Sequence, residues 1–210
     1  MRYLITGGSG RLGTEFKKYF KGHYPTHKEL DITEFTAADW DFIRRKTKFI
    51  IHMAGYTDVD KAESEKFLCF KTNVFGTYNL LTRFCDKPFV FISTEHVNCK
   101  GVYFQSKLMG ELLVKNLAKN YLIIRTLFKP SPWAFEYAFA DQMTQGDYVD
   151  VIARMIAKKI KQWNGKSEIV YVGTGRKTMF DLAKRTKSDV KPNSVNDLPF
   201  KRPKDYLPIL

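Results

Sequence analysis

The sequence predicts an α/β fold, a doubly wound parallel sheet with a small C-terminal lobe. Three observations predict it. Short apolar runs rich in β-branched and aromatic residues recur along the chain, segments with helical spacing lie between them, and the first run leads straight into a glycine-rich turn. Strands alternating with helices imply βαβ units, whose right-handed crossovers give a parallel sheet with helices on both faces. The near-continuous apolar character of the runs fits strands buried on both sides.

The first strand is Tyr3 to Thr6, and Thr6-Gly7-Gly8-Ser9-Gly10-Arg11-Leu12-Gly13 carries it into the helical run Phe16 to Phe20. Glycines at 7, 10 and 13 permit a tight turn, close approach of a pyrophosphate to backbone N–H groups, and close helix-to-strand packing; the core is therefore Rossmann-like. A second strand is expected within Tyr24 to Asp31, short and broken by Pro25. Next come a strand at Phe49 to Met53, a helix marked by Phe67, Phe70, Val74, Tyr78 and Leu81, and a strand at Phe89 to Ile92. A helix with Leu108, Leu112 and Leu117 leads to the strand Tyr121 to Ile124. After Arg125 the pattern loosens through Lys129-Pro130-Ser131-Pro132-Trp133, then resumes with a helix from about Tyr148 to Trp163, a strand at Ile169 to Val172 and a short helix from Met179. The Pro- and charge-rich tail from Lys187 onward is either a pocket-lining extended segment or a frayed end. We divide the chain into a dinucleotide-binding core, 1–125, and a reduced substrate lobe, 126–210, forming one compact unit.

Composition narrows the function classes. The 210 residues suit one domain, and 44% hydrophobic residues against 27% charged supply a sizeable core, which excludes disorder for the bulk of the chain. Three cysteines, Cys69, Cys85 and Cys99, form no CxxC pair and make an odd count, which argues against a disulfide framework or a metal site and for a reducing cytoplasm. The opening apolar run is too short for a signal peptide, and no run approaches the ~18 residues of a membrane span. The formal charge is +13, yet the basic residues are scattered (Lys17, Lys18; Arg44, Arg45, Lys46; Lys158, Lys159). A scattered positive surface favours anionic small molecules over nucleic acid.

Cofactor preference is expected near the second strand, where an acid accepts from a ribose 2′-OH and a cation accommodates a 2′-phosphate. Arg11, His27 and Lys28 lean toward NADP, while Glu29 leaves NAD open. Two YxxxK matches occur. Tyr24 to Lys28 contains Pro25 and sits where a strand is expected, so its ends need not share a face. Tyr103 to Lys107 opens a segment with helical spacing and places Tyr and Lys one turn apart on one face. A phenol is a poor acid/base near neutral pH unless an ammonium stands beside it. The same Lys could hold a nicotinamide ribose, and a hydroxyl at the preceding strand end, Ser93 or Thr94, could orient a carbonyl.

These residues resemble the extended short-chain dehydrogenase/reductases, and within them the dTDP-4-dehydrorhamnose reductase-like sugar-nucleotide group. Thr6 to Gly13 looks like the family's glycine motif, which adds Ser9 and Leu12 to the cofactor contacts, and Leu30-Asp31-Ile32-Thr33 looks like its segment near the adenine. His52-Met53-Ala54-Gly55-Tyr56-Thr57-Asp58-Val59-Asp60-Lys61-Ala62-Glu63 is similar to the loop that passes the cofactor, and Asn73 to Leu80 to the central helix. Ile92 to Val97 resembles the catalytic strand end, Tyr103 to Glu111 the YxxxKxxGE segment, Asp141-Gln142 and 146–153 the DQ segment and its helix, and Arg202 to Asp205 the tail. The resemblance implies a Thr94–Tyr103–Lys107 triad, with Tyr103 giving a proton to a 4-keto oxygen and Asn73 supporting the network. It further implies NADP, a nucleotide-sugar substrate and a homodimer formed through the helices carrying Asn73 and Tyr103. An epimerase or dehydratase of the same superfamily, or a non-catalytic dinucleotide-binding regulator, are the alternatives. Two departures stand out: only eight residues, Glu95 to Val102, separate Thr94 from Tyr103, and the stretch 126–140 is abbreviated where substrate-lobe contacts usually lie. Trp133, Phe135 and Tyr137 in that stretch could stack on a base or pack locally.

Overall fold

The computed structural model describes residues 3–34 and 40–197. In chain order, β1 (Tyr3–Thr6) and α1 (Arg11–Phe16) precede α2 (Trp40–Lys46), β2 (Phe49–His52), α3 (Val59–Ala62), α4 (Lys66–Phe70), a π-helical segment (Lys71–Phe75), α5 (Gly76–Phe84), β3 (Phe89–Thr94), α6 (Val102–Leu117) and β4 (Tyr121–Thr126). Short strands β5 (Phe128–Lys129), β6 (Tyr137–Phe139), β7 (Met143–Thr144) and β8 (Asp147–Tyr148) lead to α7 (Val149–Gln162), β9 (Glu168–Tyr171), β10 (Lys177–Thr178), α8 (Met179–Lys184) and β11 (Lys191–Asn193). The tail motif Arg202 to Asp205 lies outside the described residues.

Five strands form one parallel sheet in the order β1-β2-β3-β4-β9. The longest pairing, β3 with β4, runs from Phe89 opposite Tyr121 to Thr94 opposite Thr126, so these two strands together reach furthest toward the C-terminal edge of the sheet. Successive strand residues face opposite layers. Ile5, Ile51, Val90, Leu122 and Ile124 pack on one side with Leu12 and Phe16 of α1 and Ile152, Ile156 and Ile160 of α7. Leu4, Ile50, Phe89, Phe91 and Ile123 face the other side, against Leu80, Leu81 and Phe84 of α5 and Val114 of α6. Each such side chain, fully buried, stabilises the fold by roughly 1.5–3 kcal/mol. Helix α7 shows how the sequence writes this: Val149, Ile152, Ala153, Ile156, Ala157 and Ile160 form one buried stripe, with Asp150 in the first turn and Lys159 and Lys161 in the last.

The second strand expected over Tyr24–Asp31 does not form. Its place beside β1 is taken by a one-residue parallel bridge between Leu4 and His23. Ile5 N–H donates to His23 O at 2.8 Å and His23 N–H to Tyr3 O at 2.9 Å. Pro25 has no N–H with which to extend the ladder, and the Tyr24 hydroxyl turns back onto Phe20 O at 2.6 Å. With His23 on one side of β1 and β2 on the other, strand order reverses at β1, and the crevice at this switch point is where open α/β sheets bind ligands.

The helical run after the glycine turn also differs in extent. Helix α1 begins at Arg11 and closes at Phe16, with turns continuing beyond it. The chain after β4 builds a small lobe of two-stranded pieces, β5 with β8, β6 with β11 and β7 with β10. Trp133, Ala138, Tyr148, Met179, Leu182 and Val190 form its apolar centre. Asp147, 1% exposed, fastens that lobe by accepting from Thr174 Oγ1 at 2.6 Å and from Arg185 Nη1 at 2.9 Å. Among the described residues, no helix is long and apolar enough to cross a membrane.

Candidate active site

A cleft of ≈ 1570 Å³ opens along the C-terminal ends of the core strands, with the glycine turn at one end and the lobe at the other. Gly7, at φ 76°, has the left-handed backbone that glycine alone adopts freely, and a Cβ there would stand 2.5 Å from Ala54 N. A Cβ on Gly13 would run into Gly7 O. The turn is therefore compressed against the β2 edge, leaving a bare backbone cradle that any side chain would fill. Ser9, Gly10, Arg11, Leu12, His27, Asp31, Ile32, Ala54 and Gly55 line the same end of the cleft. That backbone floor with flanking Arg11 and His27 fits a dinucleotide.

Three residues singled out from the sequence stand elsewhere. Lys28 is exposed and off the cleft wall. Tyr56 sends its hydroxyl to Glu65 Oε2 at 2.7 Å, away from the cleft. Asn73 is buried behind the wall, where its Oδ1 accepts from Tyr56 N at 2.8 Å and its Nδ2 donates to Tyr56 O at 3.1 Å and to Ser106 Oγ at 2.8 Å. Asn73 thus clamps the backbone of the loop after β2 to helix α6. The π-helical segment makes this reach feasible by widening the turn that carries it, and such segments concentrate at functional sites. Glu29 is also turned aside, accepting from Thr26 N at 2.7 Å. Asp31 accepts from Thr33 N and Oγ1, both at 2.8 Å, while its other oxygen lies 3.4 Å from His27 Nε2.

At the middle of the cleft, Thr94 ends β3, and Tyr103 and Lys107 lie one turn apart near the start of α6. The Thr94 Oγ1 accepts from His96 N at 3.2 Å, and the Thr94 hydroxyl beside the Tyr103 phenol favours the phenolate. Burial nonetheless holds the phenol above its ordinary range. Burial pulls Lys107 down to about 8 against the opposing pull of Glu111 and Cys69, and its Nζ sits 4.2 Å from the Phe91 ring centroid. The two strand-end hydroxyls, between which spacing does not choose and the resemblance chooses Thr94, have separate employment. Ser93 donates to Glu111 Oε1 at 2.6 Å, and Arg125 holds both oxygens of that carboxylate at 2.9 and 2.7 Å. Of the pair, Thr94 is the hydroxyl that acts on the Tyr103 phenol, favouring its phenolate.

A further set escaped sequence reasoning. Ala54 N–H donates to Thr6 Oγ1 at 3.3 Å, and Thr6 Oγ1 lies 2.7 Å from His52 Nδ1; His52 Nε2 lies 3.0 Å from Thr77 Oγ1, which donates to Asn73 O at 2.6 Å. The chain is self-consistent only if Thr6 donates to Nδ1 and the imidazole carries its proton on Nε2. Burial, reinforced by Lys107, holds His52 down to about 3, so the ring is neutral. Its one sequence signal is a polar residue closing an otherwise apolar strand.

The lobe end is walled by Trp133, Phe135 and Tyr137, all three on the cleft. Trp133 and Phe135 meet edge-to-face at 5.5 Å, and Lys129 Nζ stands beside the pair, 5.9 Å from the Trp133 ring and 5.7 Å from that of Phe135. Among the described residues, no group of three or more His, Cys, Asp or Glu is arranged to hold a metal ion.

The fold and cleft define a Rossmann-type α/β protein in which a glycine turn and a threonine–tyrosine–lysine set open on one cavity. The chain belongs to the family described as the RmlD substrate binding domain, whose profile matches residues 1–157. It is 27% identical over 213 residues to a dTDP-4-dehydrorhamnose reductase of Mycobacterium tuberculosis (strain CDC 1551 / Oshkosh), covering 87% of this chain and 63% of that relative, so it spans less than two thirds of the relative's length. Among solved structures it is similar to the dTDP-4-dehydrorhamnose reductase of Bacillus anthracis in complex with NADP, with a TM-score of 0.83, 27% identity, and coverage of 97% of this chain and 88% of that one. The corresponding protein of Clostridium acetobutylicum gives a TM-score of 0.83 at 28% identity, with the same coverage.

Proposed function

We propose that this protein is an NADP-dependent oxidoreductase that reduces the 4-keto group of a nucleotide-activated keto-deoxy sugar in a reducing cytoplasm. The observation that carries the reading is that Thr94, Tyr103 and Lys107 all line the one cleft that begins at the glycine turn. Residues Gly7 to Gly13, Ala54 and Gly55 would hold the dinucleotide, which when bound supplies hydride to the carbonyl carbon. Tyr103, kept protonated by burial, donates its proton to the developing alkoxide oxygen. Thr94 orients that oxygen by a second hydrogen bond, and the Lys107 ammonium stabilises the phenolate left behind. Arg11 and His27 on the wall, with Glu29 turned to Thr26, favour NADP over NAD. Lys129 beside Trp133 and Phe135 suits the phosphates and base of the sugar nucleotide, which makes the small lobe after β4 the reduced substrate lobe, with α7 and β9 returning from it to the cofactor core.

We also read the protein as a homodimer, supported by the apolar residues Phe67, Phe75, Tyr78, Met109 and Leu112, exposed on α4, the π-helical segment, α5 and α6. The reductase reading is tested by NADPH and NADH fluorescence titration, followed by absorbance decay with a panel of nucleotide 4-keto-6-deoxy sugars. Tyr103→Phe is expected to keep NADPH binding and lose about 10²–10⁴-fold in turnover. Tight binding with no turnover by the wild type would favour an internal-hydride enzyme or a regulator; no dinucleotide binding would end the reading.

A further inference from the structure

Helix α6 carries Tyr103 as its second residue, yet its own connection provides no side-chain cap: the preceding residue is Gly101, at φ 128°. The orphan N–H groups of a helix start need partners. Here the Val102 N–H donates to Glu63 Oε1 at 2.8 Å, a carboxylate 39 residues earlier in the chain. Gly101 is shaped to this contact, since a Cβ there would lie 3.1 Å from the same oxygen. Glu63 belongs to the segment that follows β2 along the cofactor end of the cleft, where Thr57, Asp58, Val59 and Asp60 form the wall. That segment is braced internally by Asp58, which accepts from Lys61 N at 3.1 Å, and by Tyr56 Oη, which donates to Glu65 at 2.7 Å. Its hold on α6 is therefore double: Asn73 with Ser106 on one side of Tyr103, and Glu63 at the helix start on the other.

We infer that Glu63 is a positioning residue for the reaction proposed above: as a remote N-cap it fixes the first turn of α6, and so the Tyr103 phenol, against the wall that receives the dinucleotide. The short link from Thr94 to Tyr103 explains the need. With eight intervening residues and a glycine at the turn, the helix start is set by a neighbour and not by its own loop. An anionic acceptor also complements the positive end of the 16-residue helix.

The inference rests on the reductase reading, and its test separates the two. Glu63→Ala is compared with Glu63→Gln, which keeps an acceptor oxygen, by amide hydrogen exchange of the first turn of α6, NADPH titration and turnover. The expected result for Glu63→Ala is first-turn exchange faster and kcat lower, each by about tenfold, the scale of one hydrogen bond to a charged acceptor. NADPH affinity is expected to stay within about twofold and Glu63→Gln to restore most of both losses, as an N-cap acceptor should. Unchanged exchange in Glu63→Ala would overturn the inference, as would parallel loss of melting temperature, cofactor affinity and kcat, which marks a general fold defect. Should the wild type turn over no ketone, the exchange comparison still decides whether Glu63 clamps the helix, while the reductase reading fails by itself.

Discussion

Lys107 governs how the site responds to pH. In the proposed reaction its ammonium stabilises the Tyr103 phenolate, and burial lowers its pKa from 10.5 to about 8. The group therefore carries its charge below that point and loses it as pH rises through it. Turnover, read as kcat/KM across neutral and alkaline pH, is expected to be flat and then fall about tenfold per unit above about 8, as one required proton is lost. The Tyr103 phenol, raised by burial, titrates higher and contributes nothing to that limb. A profile still flat past pH 10 would mean that the Lys107 charge is unused. His52 gives the opposite case, a stability effect at acid pH. Its folded pKa of about 3 lies below the ordinary 6.5, so the unfolded chain binds a proton that the native ring refuses. The stability this contributes is complete above about 6.5 and lost as pH falls toward about 3, at most about 5 kcal/mol. Urea unfolding at neutral and acid pH should show a shallower acid loss in His52→Phe than in the wild type; equal slopes would place the acid sensitivity elsewhere.

Between elements, the tie of greatest consequence is the one that joins α6 to β3 and β4. Glu111 is fully buried, and its carboxylate is shared by Ser93 and Arg125, with Arg125 also donating to Tyr171 Oη at 2.9 Å. Glu111→Ala leaves a guanidinium without its counter-charge and is expected to cost about 3–5 kcal/mol in urea unfolding, whereas the paired change Glu111→Leu with Arg125→Met should cost far less. Equal costs for the single and paired variants would mean that the loss comes from packing alone. Elements of this kind were legible where periodicity was strong. The strands at Tyr3, Phe49, Phe89 and Tyr121 and the helix from Val149 follow from uninterrupted apolar runs and one clean stripe. The second strand failed because Pro25 removes the donor that a ladder requires, a breaker visible in the sequence whose full effect depended on Tyr24 turning to Phe20. The π-helical segment was not legible, since one widened turn leaves the helical spacing of its neighbours nearly unchanged. At the site, Tyr103 and Lys107 were readable from spacing. Spacing alone leaves Ser93 and Thr94 open and only the family resemblance chooses Thr94, for which the Ser93–Glu111 bond gives a physical ground; the remote cap by Glu63 spans 39 residues that no local pattern links.

The whole molecule sets charge against apolar surface. A formal +13 on 24.5 kDa opposes self-association, yet Phe67 is 76% exposed and Phe75 56%, with Tyr78, Met109 and Leu112 also open to solvent on adjoining helices. Large apolar side chains gathered on packed helices mark a surface that another surface covers. Placing two copies of this face together removes apolar area from water, and a stable pair needs only about 800 Å² from each partner. The prediction is a particle of twice 24.5 kDa in sedimentation equilibrium. Salt should tighten it, because screening weakens the repulsion between positive copies while leaving apolar burial intact. Leu112→Lys combined with Phe75→Lys should give folded monomers that keep NADPH affinity and whose melting temperature no longer rises with protein concentration, since both side chains are largely exposed and neither lines the cleft. A wild type that stays at 24.5 kDa at all concentrations and salt levels would show that this face serves no second copy.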